Sequence, residues 1–244
     1  YDSMSLSKTE FIIEPEEANN ERILILLGAA NMLNCNIHIS TIFRNLEVTP
    51  RQELYDYLSR IWGYSSFREL KIYKDLAINR DVSNVSQGSI IETVIRQAEY
   101  AYHHEYTKVS NVLLTSPTGA GKSLLFQLSA IYLAEKYQLL TIVVSPLVAL
   151  MNDQVVGLTN YVGVAALNSN KSASEKESIM SGVRDGSINL LYLSPELLLS
   201  YSITTFIGQR QLGLLVVDEA HTVTTWGRDF RVDYWFLGDY LRKS

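Results

Sequence analysis

Val112-Leu113-Leu114-Thr115-Ser116-Pro117-Thr118-Gly119-Ala120-Gly121-Lys122-Ser123 reads as a short apolar strand, a glycine-bearing loop and the opening of a helix. That order gives a phosphate-loop pattern its physical meaning, because backbone N–H groups of such a loop and the helix N-terminus converge on an anion. Gly119 and Gly121 let the main chain approach a polyphosphate without a Cβ in the way. Lys122 supplies a positive charge for β/γ-phosphates, and the Ser123 hydroxyl suits Mg²⁺. Ser116 stands where the strict pattern has glycine. Farther along, Leu214-Leu215-Val216-Val217-Asp218-Glu219-Ala220-His221 is an apolar strand ending in two adjacent carboxylates. Asp218 is expected to hold the Mg²⁺, directly or through water. Glu219 is expected to polarise an attacking water.

Around these two stretches, residues 81–244 alternate helical periods with short runs rich in β-branched residues, the signature of a mainly parallel α/β sheet flanked by helices. Strands are expected at Val112 to Leu114, Leu140 to Val144, Leu190 to Leu193 and Leu214 to Val217. Ile91, Val94, Ile95, Ala98, Ala101 and Tyr102 form one amphipathic face. Gly121-Lys122-Ser123 opens one later helix and Ser145-Pro146 another, while Ser172 with Glu175 forms a capping box for a third. Residues 1–80 read differently, as a helical accessory segment. There Ile23, Leu26, Leu27 and Ala30 share a face. A further helix is expected to open with Thr49 as N-cap, Pro50 at its first position and Gln52 as capping-box partner, followed by Leu54, Tyr57, Leu58 and Ile61. This segment carries no chemical motif and is read as a partner-binding or accessory element.

Composition narrows the classes further. The 244 residues are 47% hydrophobic and 19% charged, which predicts a packed core instead of disorder. A net charge of −5 announces no bulk attraction to nucleic acid or membrane, so any such site must be a local patch. Cys35 is the only cysteine, which excludes an internal disulfide and any multi-cysteine zinc site. The apolar stretch Ile23 to Ala30 is far shorter than the roughly 20 residues that span a bilayer. With no signal-peptide layout ahead of it, the expectation is a soluble, cytoplasmic chain without a membrane partner. His103-His104 reads as a solvated helix end, Tyr100 and Tyr102 as amphipathic packing, and Glu175-Lys176-Glu177 as an exposed helix face.

The combination resembles the first RecA-like motor domain of a superfamily 2 helicase, most specifically of the RecQ family. Ser145-Pro146-Leu147-Val148-Ala149-Leu150-Met151-Asn152-Asp153-Gln154-Val155 is similar to the family's motif Ia, and Leu167-Asn168-Ser169 and Tyr192-Leu193-Ser194-Pro195-Glu196 resemble its next landmarks. Trp226-Gly227-Arg228-Asp229-Phe230-Arg231-Val232-Asp233-Tyr234 resembles its aromatic-rich loop, with Val232 and Arg228 in place of the usual Pro and His.

The resemblance covers roughly residues 85–244 and implies a RecA-like P-loop NTPase fold, ATP and Mg²⁺ as ligands, and DNA as partner. It implies Thr118, Gly119, Ala120, Gly121, Lys122 and Ser123 as the nucleotide loop, with Lys122, Asp218, Glu219 and His221 as catalytic residues and Ser123 with Asp218 at the metal. It implies Gln87 as an adenine-reading glutamine, although Asn84-Val85-Ser86 replaces the Phe-Arg-Pro-Gly that usually precedes it. Phe67-Arg68 looks like that element but lies too far upstream. The stretch from Gln87 to Lys122 is longer than the family norm, so an insertion is expected around Tyr100 to Lys108. Trp226, Phe230 and Arg231 would sense single-stranded DNA, with His221 linking them to the acids. Core packing for the two aromatics and a surface role for Arg231 stand beside that reading. Ser145 would touch the DNA backbone or act as an N-cap.

The implied activity is ATP-dependent DNA unwinding with 3′ to 5′ movement. The chain is expected to lack the second RecA-like domain and its arginine finger, so by itself it would hydrolyse ATP hardly at all. The alternatives are a double-stranded DNA translocase or RNA helicase of superfamily 2, or a nucleotide-binding scaffold recruiting a partner through residues 1–80.

Overall fold

The computed structural model describes residues 11–13, 37–39, 48–73, 82–104, 112, 119, 121–201 and 203–219. Its centre is a four-stranded parallel sheet. Strands β1 (Phe11–Ile13) and β2 (Ile37–Ile39) form a small parallel pair elsewhere, and β3 (Glu69–Tyr73) with β4 (Val82–Ser86) form an antiparallel ladder. The central sheet contains β5 (Leu140–Val144), β6 (Val164–Leu167), β7 (Leu190–Leu193) and β8 (Leu212–Val217), in the order β6-β7-β5-β8. Every residue of β5 and β7 is buried, as the unbroken apolar runs require of parallel strands covered on both faces.

The pleat sorts these strands between two helical layers. Leu140, Ile142 and Val144 of β5, with Leu191 and Leu193 of β7, face α5 (Ala173–Asp185), α6 (Pro195–Ser200) and α7 (Ile203–Ile207). Val143, Leu190 and Tyr192 face the opposite way, toward α3 (Lys122–Tyr137) and α4 (Val148–Gly157). The result is a three-layer α/β architecture of the expected class. α3 is buried almost all round from Leu125 to Ala134, because α2 (Gln87–His103) and α1 (Gln52–Trp62) cover its far side.

Three expectations change. First, the helix containing Leu54, Leu58 and Ile61 does form and buries those residues, but its N-cap is Arg51, in extended conformation, and not Thr49. The Arg51 N–H donates to Glu92 Oε2 at 3.1 Å and its guanidinium binds Glu92 and Glu99, which holds the preceding residues off the helix. Gln52 is therefore the first helical residue and cannot serve as a capping-box partner.

Second, the line drawn between residues 80 and 81 falls between the two strands of the β3–β4 ladder. Leu54, Leu58 and Leu70 share one core with Ile91, Ile95, Leu128 and Leu133. α1 and β3 are thus packed into the body that bears α2 and α3. The face expected from Ile23 to Ala30 lies outside the described residues.

Third, Ser145-Pro146 does not open a helix. The Ser145 N–H donates to Leu193 O at 3.1 Å, so the sheet ladder continues through it, and α4 begins at Val148 with Leu147 as N-cap. Leu113 and Leu114 of the strand expected at Val112 to Leu114 lie outside the described residues, and two other local signals translate directly. Ser172 and Glu175 form both halves of a capping box, and Gly121 caps the start of α3. Tyr100 and Tyr102 are exposed, yet the Tyr102 ring lies 5.1 Å from that of Tyr137 on α3 and the Tyr100 ring stacks on His104 at the helix end.

Candidate functional site

The parallel ladder aligns the carboxyl ends of the four strands. Ser194 N–H donates to Leu167 O, Ser145 N–H to Leu193 O, and Asp218 N–H to Val144 O. Across the sheet the residues just past the strand ends are therefore Asn168, Ser194, Ser145 and Asp218 in spatial order. Ligands of open α/β sheets bind outside this edge. Asn168, Ser194 and Ser145 are all buried, and the hydroxyls of Ser145 and Ser194 have no hydrogen-bond partner among the described residues. A cleft of about 520 Å³ opens beside them, lined by Pro146, Leu147, Leu150, Asp153, Ser194 and Glu196 among others.

At the other side of this edge, β8 ends in the two acids. Glu219 takes a left-handed conformation, φ 51°, which a residue with a Cβ adopts at a cost of about 1 kcal/mol or more. Its N–H donates to Asp218 Oδ1 at 2.9 Å. α3, which starts at Lys122, packs against both β5 and β8.

The residues fit a polyphosphate with Mg²⁺. Gly119 and Gly121 have φ of 83° and 77°, and a Cβ on Gly119 would meet nothing within 4 Å. At Gly121 the same Cβ would lie 2.7 Å from Gln87 Nε2, so the glutamine amide sits directly on the glycine that caps α3. A hydroxyl and carboxylates are the hard oxygen donors Mg²⁺ takes, together with phosphate oxygens. Among the described residues there is no group of three or more His, Cys, Asp or Glu that could hold a metal ion by themselves.

Gln87 is 2% exposed and is fixed from behind. Its N–H donates to Arg68 O at 2.9 Å, and its Oε1 accepts from the Arg68 N–H at 3.2 Å. The Phe67 ring lies against Gly88, where an added Cβ would come within 2.6 Å of it. Phe67-Arg68 thus stands beside Gln87 in space, and the β3–β4 ladder is the excursion that separates them in sequence. The signal was the dipeptide itself; its spacing concealed the neighbourhood.

Ser123 belongs to a buried polar chain that the sequence reading did not single out. Gln154 Nε2 donates to Ser123 Oγ at 2.8 Å, Gln127 Nε2 donates to Gln154 Oε1 at 2.7 Å, and the same nitrogen donates to the Tyr192 hydroxyl at 2.8 Å. Burial pushes the Tyr192 phenol well above its usual range. Gln127 opposes that shift, and the negative charge of Asp218 adds to it. The chain therefore runs from the candidate metal hydroxyl to a phenol within the field of the candidate metal carboxylate. Thr118, Ala120, His221, Trp226, Phe230 and Arg231 lie outside the described residues.

Residues 93–242 match the DEAD/DEAH box helicase family model. The "ATP-dependent DNA helicase RecQ" of Synechocystis is 37% identical over 80% of this chain and 35% of its own length. That of Pasteurella multocida is 30% identical over 79% of this chain and 26% of its own. The "ATP-dependent DNA helicase Q5" of Mus musculus is 44% identical over 52% of this chain and 13% of its own. The chain thus spans about a third or less of the length of these relatives.

Proposed function

Because this chain belongs to the DEAD/DEAH box helicase family, and within it is RecQ-like, we propose that its sheet edge is the ATP site of a DNA helicase motor. The motor couples ATP hydrolysis to single-stranded DNA translocation and unwinding, in the 3′ to 5′ direction. The observation that carries this reading is the seating of the Gln87 amide on Gly121 at the head of α3. An amide that donates and accepts suits an adenine edge, and a left-handed glycine at a helix N-terminus suits phosphates. The loop from Thr118 through Ala120 to Ser123 holds the polyphosphate, and Lys122 pairs with its outer phosphates. Ser123 and Asp218 would hold Mg²⁺, which when bound offsets charge developing on the transferred phosphoryl group. Glu219 orients and polarises the attacking water, and His221 links the acids to the residues that sense DNA. Ser145 at the sheet edge, together with Trp226, Phe230 and Arg231, takes single-stranded DNA by backbone contact and base stacking.

The decisive experiment is the ATPase rate with and without single-stranded DNA, for the full-length protein and for Lys122→Ala. Loss of turnover by at least about 100-fold in the variant, with folding intact, is the expected outcome. Undiminished turnover would remove the site assignment. Stimulation by RNA or duplex DNA in place of single strands would redirect the substrate to the other superfamily 2 classes.

A further inference from the structure

Gln154 lies on α4, next to Asp153 of the lining of the 520 Å³ cleft, yet its side chain ends on Ser123 at the head of α3. A serine hydroxyl has two lone pairs and one hydrogen. Gln154 Nε2 occupies one lone pair at 2.8 Å, which leaves the second for a metal ion and the hydrogen for a phosphate oxygen. The glutamine cannot turn its oxygen to Ser123 by itself, because Oε1 is already accepting from Gln127 Nε2 at 2.7 Å. Gln127 is 4% exposed and its other N–H bond goes to Tyr192, which is fully buried on β7. Such a chain, buried at Gln127 and Tyr192 and partly buried at Gln154 and Ser123, constrains the direction of the groups in it.

We infer that Gln154 is a positioning residue for the Mg²⁺ ligand Ser123, and that it ties the register of α4 beside the cleft to metal affinity at the nucleotide. The inference rests on the reading of Ser123 as a Mg²⁺ ligand. It assigns Gln154 no contact with nucleotide or DNA. The Ser123 hydroxyl keeps its lone pair aimed at the metal only while α4 stays in place. An occupant of the cleft that shifts α4 therefore changes metal binding through one hydrogen bond. Partners one shell removed from a metal commonly change its affinity by roughly tenfold or more.

The test measures affinity of the full chain for a fluorescent N-methylanthraniloyl-ADP, once in EDTA and once across a Mg²⁺ titration. The variants are Gln154→Leu, Ser123→Ala and the double variant, each checked by thermal unfolding. Gln154→Leu is expected to leave the EDTA affinity unchanged and to raise the Mg²⁺ needed for the half-maximal gain by roughly tenfold. It should add nothing further in the Ser123→Ala background. If Gln154→Leu does not fold, Gln154→Met, unbranched and of similar length, takes its place under the same criteria. An unchanged Mg²⁺ titration in Gln154→Leu, while Ser123→Ala loses its gain, overturns the inference alone. An equal loss with and without Mg²⁺, or a loss that persists in the double variant, does the same. A full Mg²⁺ gain in Ser123→Ala overturns the metal assignment and this inference with it.

Discussion

At the two ends of the central sheet, the groups around Arg210 are paired, whereas the buried hydroxyls of Ser145 and Ser194, like that of Thr141 near the start of β5, are not paired among the described residues. At the amino end, Arg210 enters just before β8 and spends four N–H bonds on the structure around it. They reach Val183 O, Ile188 O and Gln138 O, and Asn189 Oδ1 at 2.6 Å. These acceptors close the ends of α5 and α3 and the start of β7, so one guanidinium satisfies groups that helix termini leave open. Burial pulls the Arg210 guanidinium down from its usual range, a cost the bonds offset. At the carboxyl end, Ser145 and Ser194 are more deeply buried than Arg210 but hold hydroxyls without partners among the described residues, next to an open cleft. The saturated cluster around Arg210 serves the fold. An unsaturated end is held ready for something that is not part of the fold.

Arg210→Ala should therefore show the largest effect on stability at either end of the sheet, about 2 kcal/mol by urea unfolding, since three part-buried acceptors lose their donor at once. Nucleotide affinity per folded molecule should not change. A loss of affinity without a loss of stability would break the division between the two ends.

Arg51 offers a second saturated cluster on which to sharpen it. Burial pushes the Glu92 carboxyl up, but hydrogen bonds from Arg51 and Arg96 outweigh it and hold the group below its ordinary value. Glu99 is lowered by Arg51 as well. A depressed carboxyl contributes stability above its unfolded pKa, near 4.5, and loses it as pH falls through the folded value. Arg51→Gln should cost about 2 kcal/mol at neutral pH and progressively less below about pH 4. Urea midpoints at both pH values measure this. A deficit independent of pH would mean that Arg51 acts through packing.

The smallest effect belongs to the unsaturated end. Ser145→Ala and Ser194→Ala remove hydroxyls that fold without a partner, so stability should stay level or rise by up to about 1 kcal/mol. Stimulation of the ATPase by single-stranded DNA should weaken. A clear destabilisation would show these hydroxyls to be structural.

Local patterns were legible wherever their cause was local. The apolar runs of β5 and β7 needed only burial on both faces, that of β8 is half-buried along its length, and the Ser172–Glu175 box needed only residues three apart. β6 escaped notice because Val164-Ala165-Ala166-Leu167 is short and half of it small. Thr49 failed as a cap because its rival was not local: Arg51 is held by two glutamates on α2. Phe67-Arg68 was read as misplaced for the same reason, since spacing along the chain cannot show that an antiparallel ladder brings its two ends together.

What the sequence determined by itself is the chemistry on offer: a glycine-lysine-serine loop entering a helix, paired acids ending an apolar strand, and the β-branched periods that make a parallel sheet. Those follow from backbone geometry and burial within a few residues. The tertiary structure alone decided which of these groups meet. It set Gln87 on Gly121, Gln154 on Ser123, and Arg210 among carbonyls from three other segments. Strand order and ladder register fix such meetings, and both are free energies of the whole chain, which no short stretch encodes.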